Sequence, residues 1–142
     1  MKLIELLARF GRDRRGVAAV EFGFVAIPLL FFIIGSMEFS RAYWAKESLH
    51  QVAMATARCL AVSNPSCTTA SAAQTYGIAE ANKWALTLTA SNFTTVNSST
   101  TCAGVAGFAV VKISYKFNTV VPILLPWLEE AANLQVSACY PS

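Results

Sequence analysis

A long apolar run near the start of the chain sets the first prediction. Residues 17–37 contain one charged side chain, Glu21. A helix of that length spans the hydrocarbon core of a bilayer. Pro28 lies in the middle of the run and is expected to kink the helix or loosen one turn. The pattern therefore predicts a transmembrane helix over residues 17–37.

The same helix is expected to continue to about residue 61. Residues 38–62 contain no proline or glycine, and their apolar side chains recur at helical spacing. The stripe consists of Phe39, Ala42, Tyr43, Leu49, Val52, Ala53, Thr56 and Leu60. A helix that is apolar on one side needs a cover, and the rest of the chain is the candidate for it. Two interpretations of Tyr43 and Trp44 are open: an aromatic belt at the exported membrane interface, or part of the packing face of this helix.

A second helix is predicted after the turn sequence SNPSCTT, residues 63–69. Thr68 or Thr69 is suited to cap its first turn, and the helix is expected to run to about Trp84. Its predicted buried face is Ala73, Tyr76, Ala79 and Trp84.

Alternating patterns then predict strands. The sequence VVKISYKF, residues 110–117, places Val111, Ile113, Tyr115 and Phe117 on one face. NLQVSAC, residues 133–139, repeats the alternation, whereas residues 91–101 are predicted to be a loop or a short edge strand. Strands with one polar face fit an antiparallel sheet. The predicted fold class is α+β, with the second helix and a small sheet packed on the long helix.

An apolar segment with two prolines, Val120–Glu130, connects the last two strands. A core-facing connection is the favoured interpretation. The alternative is an exposed patch that touches lipid or a partner chain.

Charge distribution predicts the orientation. Hydrophobic residues make up 55% of the chain and charged residues 13%, and the mean hydropathy is +0.48, which indicates a membrane-associated protein. Residues 1–16 hold five basic and two acidic residues, a net charge of 5 − 2 = +3, and the remainder is balanced at 6 − 6 = 0. Basic residues flank the cytoplasmic side of membrane spans, so the chain beyond about residue 38 is expected to be exported. A protein that binds nucleic acid would carry its basic residues on the folded part. Nucleic-acid binding is therefore not predicted for this chain.

The four cysteines all follow residue 38, as expected for two disulfides in an oxidising compartment. Three pairings are possible. Cys59–Cys67 is favoured because the two residues flank the predicted turn, and Cys102–Cys139 because they border two strands that are expected to pair. The sole histidine, His50, has no cysteine or second histidine near it in the sequence. No metal site, cofactor or catalytic residue is predicted.

Glu21 is costly inside an apolar helix, and its context suggests a purpose. A short basic leader, Gly16, a glutamate five residues later, Phe22 and a long apolar run together resemble the processing site of type IV pilins. That resemblance implies that a prepilin peptidase cuts between Gly16 and Val17 on the cytoplasmic face. It also implies that Glu21, then the fifth residue, pairs with the freed amine of a neighbouring subunit during assembly, because a charge in hydrocarbon is tolerated mainly when it faces a partner.

The stretch RRGVAAVEFGFVAIPLLFF strongly resembles the TadE-like proteins, pseudopilins of tight-adherence (Flp, type IVc) pilus systems, and Pro28 matches their proline. The chain length favours TadE-like over the far longer TadG-like proteins and leaves TadF-like proteins open. Major Flp pilins are much smaller and lack a globular domain. The resemblance therefore implies a minor pilin or pseudopilin rather than the main filament subunit.

The expected organisation is a cleaved leader at residues 1–16, a span at 17–37 and a pilin-like periplasmic α+β domain at 38–142 that includes the helix continuation 38–61. The expected location is the bacterial inner membrane, with a single pass, or the extracellular pilus. The expected partners are the prepilin peptidase, other pilin or pseudopilin subunits and the inner-membrane assembly platform. The alternative is a bitopic membrane protein whose periplasmic domain binds a ligand unrelated to pili. A disulfide-stapled enzyme is a third reading that no catalytic pattern supports.

Overall fold

The computed structural model describes residues 16–118 and 132–142. Its elements are helix α1, a short 3₁₀ turn, helix α2, a second 3₁₀ turn and three strands. The described chain divides into two units, one ending at Phe39 and one from Ser40 to Ser142. The predicted α+β class is confirmed, with a long apolar helix, a second helix and a three-stranded antiparallel sheet.

Helix α1 runs from Val17 to Ala61, as the sequence predicted, and Pro28 lies inside it. Its buried residues are Ala45, Ser48, Leu49, Val52, Ala53, Thr56, Ala57, Cys59 and Leu60. Two members of the predicted stripe are not buried, since Phe39 is 72% exposed and Tyr43 is 59% exposed. The covered face therefore begins only at Ala45, so the placement of Phe39 on the covered stripe was wrong, and Tyr43, for which an interfacial position was the alternative, is exposed.

Helix α1 ends in a hydrogen-bonded motif that reverses the chain. The Asn64 N–H donates to the Cys59 carbonyl and the Ser63 N–H to the Leu60 carbonyl, both at 3.2 Å, with Ser63 in the left-handed region at φ 51°. These two bonds satisfy carbonyls that the helix end would otherwise leave open. Cys67 closes the 3₁₀ turn that follows, Pro65–Cys67. The chain is thereby brought back along the helix that it has just left.

Helix α2, Ala70–Lys83, begins with Thr69 as its cap, whose side chain accepts a hydrogen bond from the Ala72 N–H. Its buried residues are Ala73, Gly77 and Ala81. The predicted buried face was therefore only partly right: Ala73 is buried and Tyr76 half-buried, but Ala79 and Trp84 are exposed. Small residues face the core because α2 approaches its neighbours closely.

Gly77 marks the closest of these approaches. A Cβ atom at this position would lie 2.7 Å from Cζ of Phe93 and 2.8 Å from Oγ1 of Thr56. Phe93 is 6% exposed and Thr56 fully buried, and the Thr56 hydroxyl is held by donating to the Val52 carbonyl at 2.8 Å. Neither side chain can move aside without disturbing the core. A side chain at residue 77 is therefore excluded by packing.

Gly77→Ala is expected to destabilise the protein by about 1–3 kcal/mol, the usual cost of forcing extra atoms into a packed core. Helix propensity alone would act the other way, by about 1 kcal/mol in favour of alanine. Denaturant unfolding of the full chain in detergent measures the change. Ala79→Gly, at an exposed position of the same helix, supplies the propensity term. A Gly77→Ala protein more stable than the wild type would contradict the packing argument.

The sheet has strand order β1-β2-β3, with both pairs antiparallel. Its strands are β1, Phe93–Cys102; β2, Val105–Lys116; and β3, Asn133–Pro141. Both predicted alternating strands are confirmed and are longer than expected. The segment predicted as a loop or short edge strand is a full edge strand of ten residues. Pairing with β2 ordered a run of serine, threonine and asparagine that carries little signal of its own.

The β1–β2 hairpin closes in a two-residue turn. Cys102 pairs with Val105, and the residues between them, Ala103 and Gly104, have φ of 49° and 85°. Positive φ at both positions is the type I′ geometry, whose twist matches that of the strands. Register shifts in β1 near Thr100, with Gly107 at φ 88° in β2, bend the hairpin close to its tip.

One face of the sheet joins the core. Buried side chains from α1, α2 and the strands form a single hydrophobic cluster, whose sheet members include Phe93, Ala109, Val111, Ile113, Val136 and Ala138. Lys112 and Lys116 are exposed, as the alternation predicted. The segment Val120–Glu130, for which two readings were open, lies outside the described residues, as does the leader before Gly16.

Candidate functional site

The first described residues hold the predicted cleavage point. Gly16 is exposed and immediately precedes the first residue of α1, Val17. Within the described chain, a Cβ added to Gly16 would have no atom within 4 Å. The fold of the described residues therefore gives no packing reason for glycine at this position.

Glu21 lies one helical turn beyond Val17, and its side chain is exposed, as is that of Phe22. Residues 16–118 and 132–142 supply no hydrogen bond or ion pair to the Glu21 carboxylate. Residues four apart on a helix share a face. The carboxylate and the backbone nitrogen of Val17 thus lie on one side of α1.

The helix around these residues is apolar on all sides. An 18-residue window of α1 has a mean hydropathy of 2.5, and none of it is buried within the chain. Its large exposed side chains include Phe22, Phe24, Leu30, Phe31, Phe32 and Ile34. Exposed hydrocarbon on this scale is typical of a helix that lipid or other helices surround. By length and composition this helix is a candidate single-pass membrane anchor.

Pro28 does not end the helix, which continues on both sides of it. Proline has no N–H, so the carbonyl of Phe24, four residues earlier, lacks its usual partner within the helix. Whether this turn bends remains a prediction from the sequence.

Both cysteine pairs favoured by the sequence are present as disulfides. Cys59 and Cys67 are joined across the end of α1, with Cα atoms 5.8 Å apart. Cys102 and Cys139 are joined with Cα atoms 6.4 Å apart. Cys139 pairs with Val110 of β2, and directly opposed residues share a face of the sheet. Val110 is 5% exposed but does not belong to the main core cluster. The Cys102–Cys139 disulfide, near the bent tip of the hairpin, therefore lies beside a second, smaller buried position.

The two disulfides are expected to stabilise the fold unequally. Their sequence separations are 8 and 37 residues, and in the chain-entropy model the longer loop gains roughly 1 kcal/mol more. The measurement uses two variants, each retaining one bridge through paired Cys→Ala changes, unfolded with and without reductant. Reduction should cost more in the variant that retains Cys102–Cys139. Equal losses in the two variants would contradict loop length as the cause.

One ion pair lies on the surface of α2. Lys83, in the last turn of α2, forms an ion pair with Glu80 three residues earlier. The hydrogen bond that Lys83 Nζ donates to the Glu80 carboxylate raises the pKa of Lys83 above its usual value. The Lys83 side chain is exposed and that of Glu80 is partly buried. This ion pair joins two residues of the same helix, and it does not indicate a catalytic or binding role for α2.

A shallow groove of about 410 Å³ lies on the sheet, lined by Thr94, Lys112, Ile113, Ser114, Gln135, Val136 and Ser137. Its lining contains hydroxyls, an amide and one lysine, without a carboxylate or histidine. Among the residues that the structure describes, no acid–base pair faces this groove. Among the described residues, no group of three or more histidine, cysteine or acidic side chains is placed to hold a metal ion.

Comparison with known proteins singles out the same segment. The model of the TadE-like protein family matches residues 16–58, which begin at Gly16 and include Glu21, Pro28 and most of α1. This match confirms the resemblance on which the sequence interpretation rested, over less than a third of the chain. No curated protein and no solved structure matches the chain significantly.

Proposed function

We propose that this chain, which carries the TadE-like sequence at residues 16–58, is a membrane-anchored minor pilin or pseudopilin of a tight-adherence pilus system. The observation that carries the proposal is the position of that match. It covers Gly16, Glu21 and the exposed apolar helix together, rather than the folded part alone. Its role is that of a subunit, and in processing it is a substrate rather than an enzyme.

Processing by a prepilin peptidase is the first step in the proposal. Cleavage between Gly16 and Val17 would remove the basic leader and leave a new α-amine on the first residue of α1. Gly16 is exposed, and the packing of the described chain does not require a glycine there. Both observations support a requirement for glycine that comes from the protease rather than from the fold. A residue without a side chain fits a narrow protease cleft.

The new amine gives Glu21 a partner. A positive amine at a helix N-terminus is unfavourable, because the helix dipole already places positive charge there. A carboxylate in the apolar segment is also unfavourable while it is alone. Bringing the Glu21 carboxylate of one subunit to the Val17 amine of another relieves both costs. Subunit entry into an assembly, guided by the inner-membrane platform, would therefore favour one register.

Location and orientation follow from the same segment. The basic leader holds the N-terminus in the cytoplasm, residues 17–37 cross the inner membrane, and residues 38–142 fold in the periplasm. The two disulfides support an oxidising compartment for that part.

The proposal is tested in the bacterium that carries the gene. Deletion of the gene should reduce tight-adherence pili on the cell surface, and a plasmid copy should restore them. The mass of the purified chain should decrease by the leader in cells with the prepilin peptidase and remain full in cells without it. Normal pili in the deletion strain, together with one mass in both backgrounds, would leave a bitopic protein unrelated to pili.

A further inference from the structure

Aromatic and basic side chains surround α1 just after the apolar span. Tyr43 is 59% exposed and Trp44 49% exposed, and the Lys46 side chain is also exposed. Tyr43 and Lys46, three residues apart, lie on one face, with Trp44 beside them. Side chains on a helix lean toward its N-terminus, so the Lys46 ammonium is directed back toward the level of Tyr43.

The end of the sheet reaches this level on the core side of the helix. The guanidinium carbon of Arg41 lies 5.5 Å from the centre of the Phe117 ring. The Phe117 N–H donates to the Ala132 carbonyl at 2.7 Å. Phe117 and Ala132, which border residues 119–131 in sequence, therefore lie near Arg41. In sequence, residues 119–131 carry an uncharged apolar run, Val120–Leu128.

We infer that this end of the Ser40–Ser142 unit is a lipid-contacting surface, held in the headgroup region of the bilayer. We define the surface, the juxtamembrane belt, by Arg41, Tyr43, Trp44 and Lys46, which are exposed. The inference rests on the proposed membrane anchor at residues 17–37. It adds that the folded unit touches the membrane through its own side chains.

Distance supports this assignment. Arg41 follows Met37, the last residue of the span, by four positions, about 6 Å of helix at 1.5 Å per residue. The headgroup layer on each side of the hydrocarbon core is roughly 5–8 Å thick. Tyrosine and tryptophan are enriched in that layer because one end of each ring system is apolar and the other can hydrogen-bond. A lysine that leans toward the layer can reach lipid phosphates.

Other occupants of the belt make different predictions. If segment 119–131 or a second subunit covered Trp44, this indole would be shielded from lipid as well as from water. If Trp44 contacts lipid, its indole is instead accessible to a quencher attached to the acyl chain near the headgroup. Trp84, at the end of α2 and 42% exposed, is the matched control because it is a surface tryptophan outside the belt.

The test uses the full chain reconstituted in vesicles of phosphatidylethanolamine and phosphatidylglycerol. Trp84→Phe with Trp127→Phe leaves Trp44 as the only tryptophan, and Trp44→Phe with Trp127→Phe leaves Trp84. Bromine on the acyl chains, either near the headgroup or near the chain end, quenches a nearby indole. Trp44 should be quenched several-fold more by bromine near the headgroup than by bromine near the chain end, and Trp84 by neither.

An alkaline wash of the same vesicles separates the possible failures. If the chain stays with the vesicles but Trp44 is quenched no more than Trp84, the belt is not a lipid surface, although the anchor stands. A Trp44 shielded from both bromine and aqueous iodide would identify a protein cover and also overturn the inference. If the wash releases the chain, the anchor is wrong and the inference fails with it.

Discussion

Gly16→Val should leave the chain at its full precursor mass in cells that contain the prepilin peptidase. The β-branched side chain would occupy space that the protease cleft reserves for the backbone. The substitution should not disturb the protein itself, because in the described structure a Cβ at Gly16 meets no atom within 4 Å. Intact mass and N-terminal sequencing of membrane-purified protein measure the outcome, and the expected effect is a complete or nearly complete block.

The chain offers a matched control for this change. Gly23 lies inside α1, and a Cβ there also meets no atom within 4 Å. Gly23→Val adds the same side chain to the same apolar segment and should be processed as the wild type is. A Gly16→Val protein that still appears at the shorter mass would show that the leader is not removed at this glycine. Loss of cleavage in both variants would indicate a general defect in insertion.

Glu21→Ala should abolish or severely reduce pilus assembly while leaving cleavage and membrane insertion intact. Removing a carboxylate from the apolar segment favours insertion, by about 2–3 kcal/mol on translocon scales if the site is deep. Any loss of function would therefore reflect a lost partner rather than a lost anchor. Surface pili counted by electron microscopy, and co-purification of wild-type and variant chains carrying different tags, measure the two halves of the prediction.

Two further variants identify the cause of that loss. Glu21→Gln keeps the shape of the side chain and removes the charge, so it should fail as alanine does if the amine of Val17 is the partner. Glu47→Ala removes an exposed carboxylate from the buried half of α1 and should assemble normally. Normal pili and normal co-purification with Glu21→Ala would show that the carboxylate is incidental. If Glu21 instead paired with the Val17 amine of its own subunit, one helical turn away, the Glu21→Ala chain would also co-purify normally with the wild-type chain.

The elements with strong periodicity were predictable from sequence. The long helix and the strands around Val111 and Val136 are each buried on one face. Apolar residues therefore recur with a period of 3.6 in the helix and of 2 in the strands, and this pattern is visible in the sequence. Strand β1 was not predictable at its full length, because its order comes from hydrogen bonds to β2 rather than from its own apolar residues. The buried face of α2 was missed in part. Close packing against Phe93 selects glycine and alanine there, and these residues give little hydrophobic signal.

Turns were harder than strands for a local reason. Ser63, Ala85 and Ala103 all have positive φ, a region where glycine or asparagine is the usual sequence signal. The chain uses neither at these positions, so the residues with positive φ could not be identified, although the composition of residues 63–69 did predict the first reversal. Local backbone pairing accompanies these conformations instead: the Ser63 N–H donates to the Leu60 carbonyl, the Ala85 N–H donates to the Asn82 carbonyl, and Ala103 lies in the turn closed by the paired residues Cys102 and Val105.

For the candidate site, the sequence was more informative than the structure. Gly16, Glu21 and Pro28 were identified from the resemblance to type IV pilins and TadE-like proteins, and the proposed roles of Gly16 and Glu21 involve a protease and other subunits rather than this chain's own fold. The structure adds that Gly16 and Glu21 are exposed and that the packing of the described chain does not require the glycine. Sequence reasoning missed the contact between Arg41 and Phe117, since seventy-six positions separate the two residues and neither has an unusual neighbourhood.

The position of Cys139 has a mechanical consequence. Tension on the last residues of the chain would peel β3 away from β2 one pair at a time, beginning with Pro141 and Phe108 and then Tyr140 and Ala109. The next residue, Cys139, is covalently bonded to Cys102. Unzipping therefore stops at the third pair, and further load passes through covalent bonds to the hairpin instead of reaching the six pairs from Val111–Ala138 to Lys116–Asn133. The disulfide therefore shields these six pairs from tension that is applied beyond Cys139.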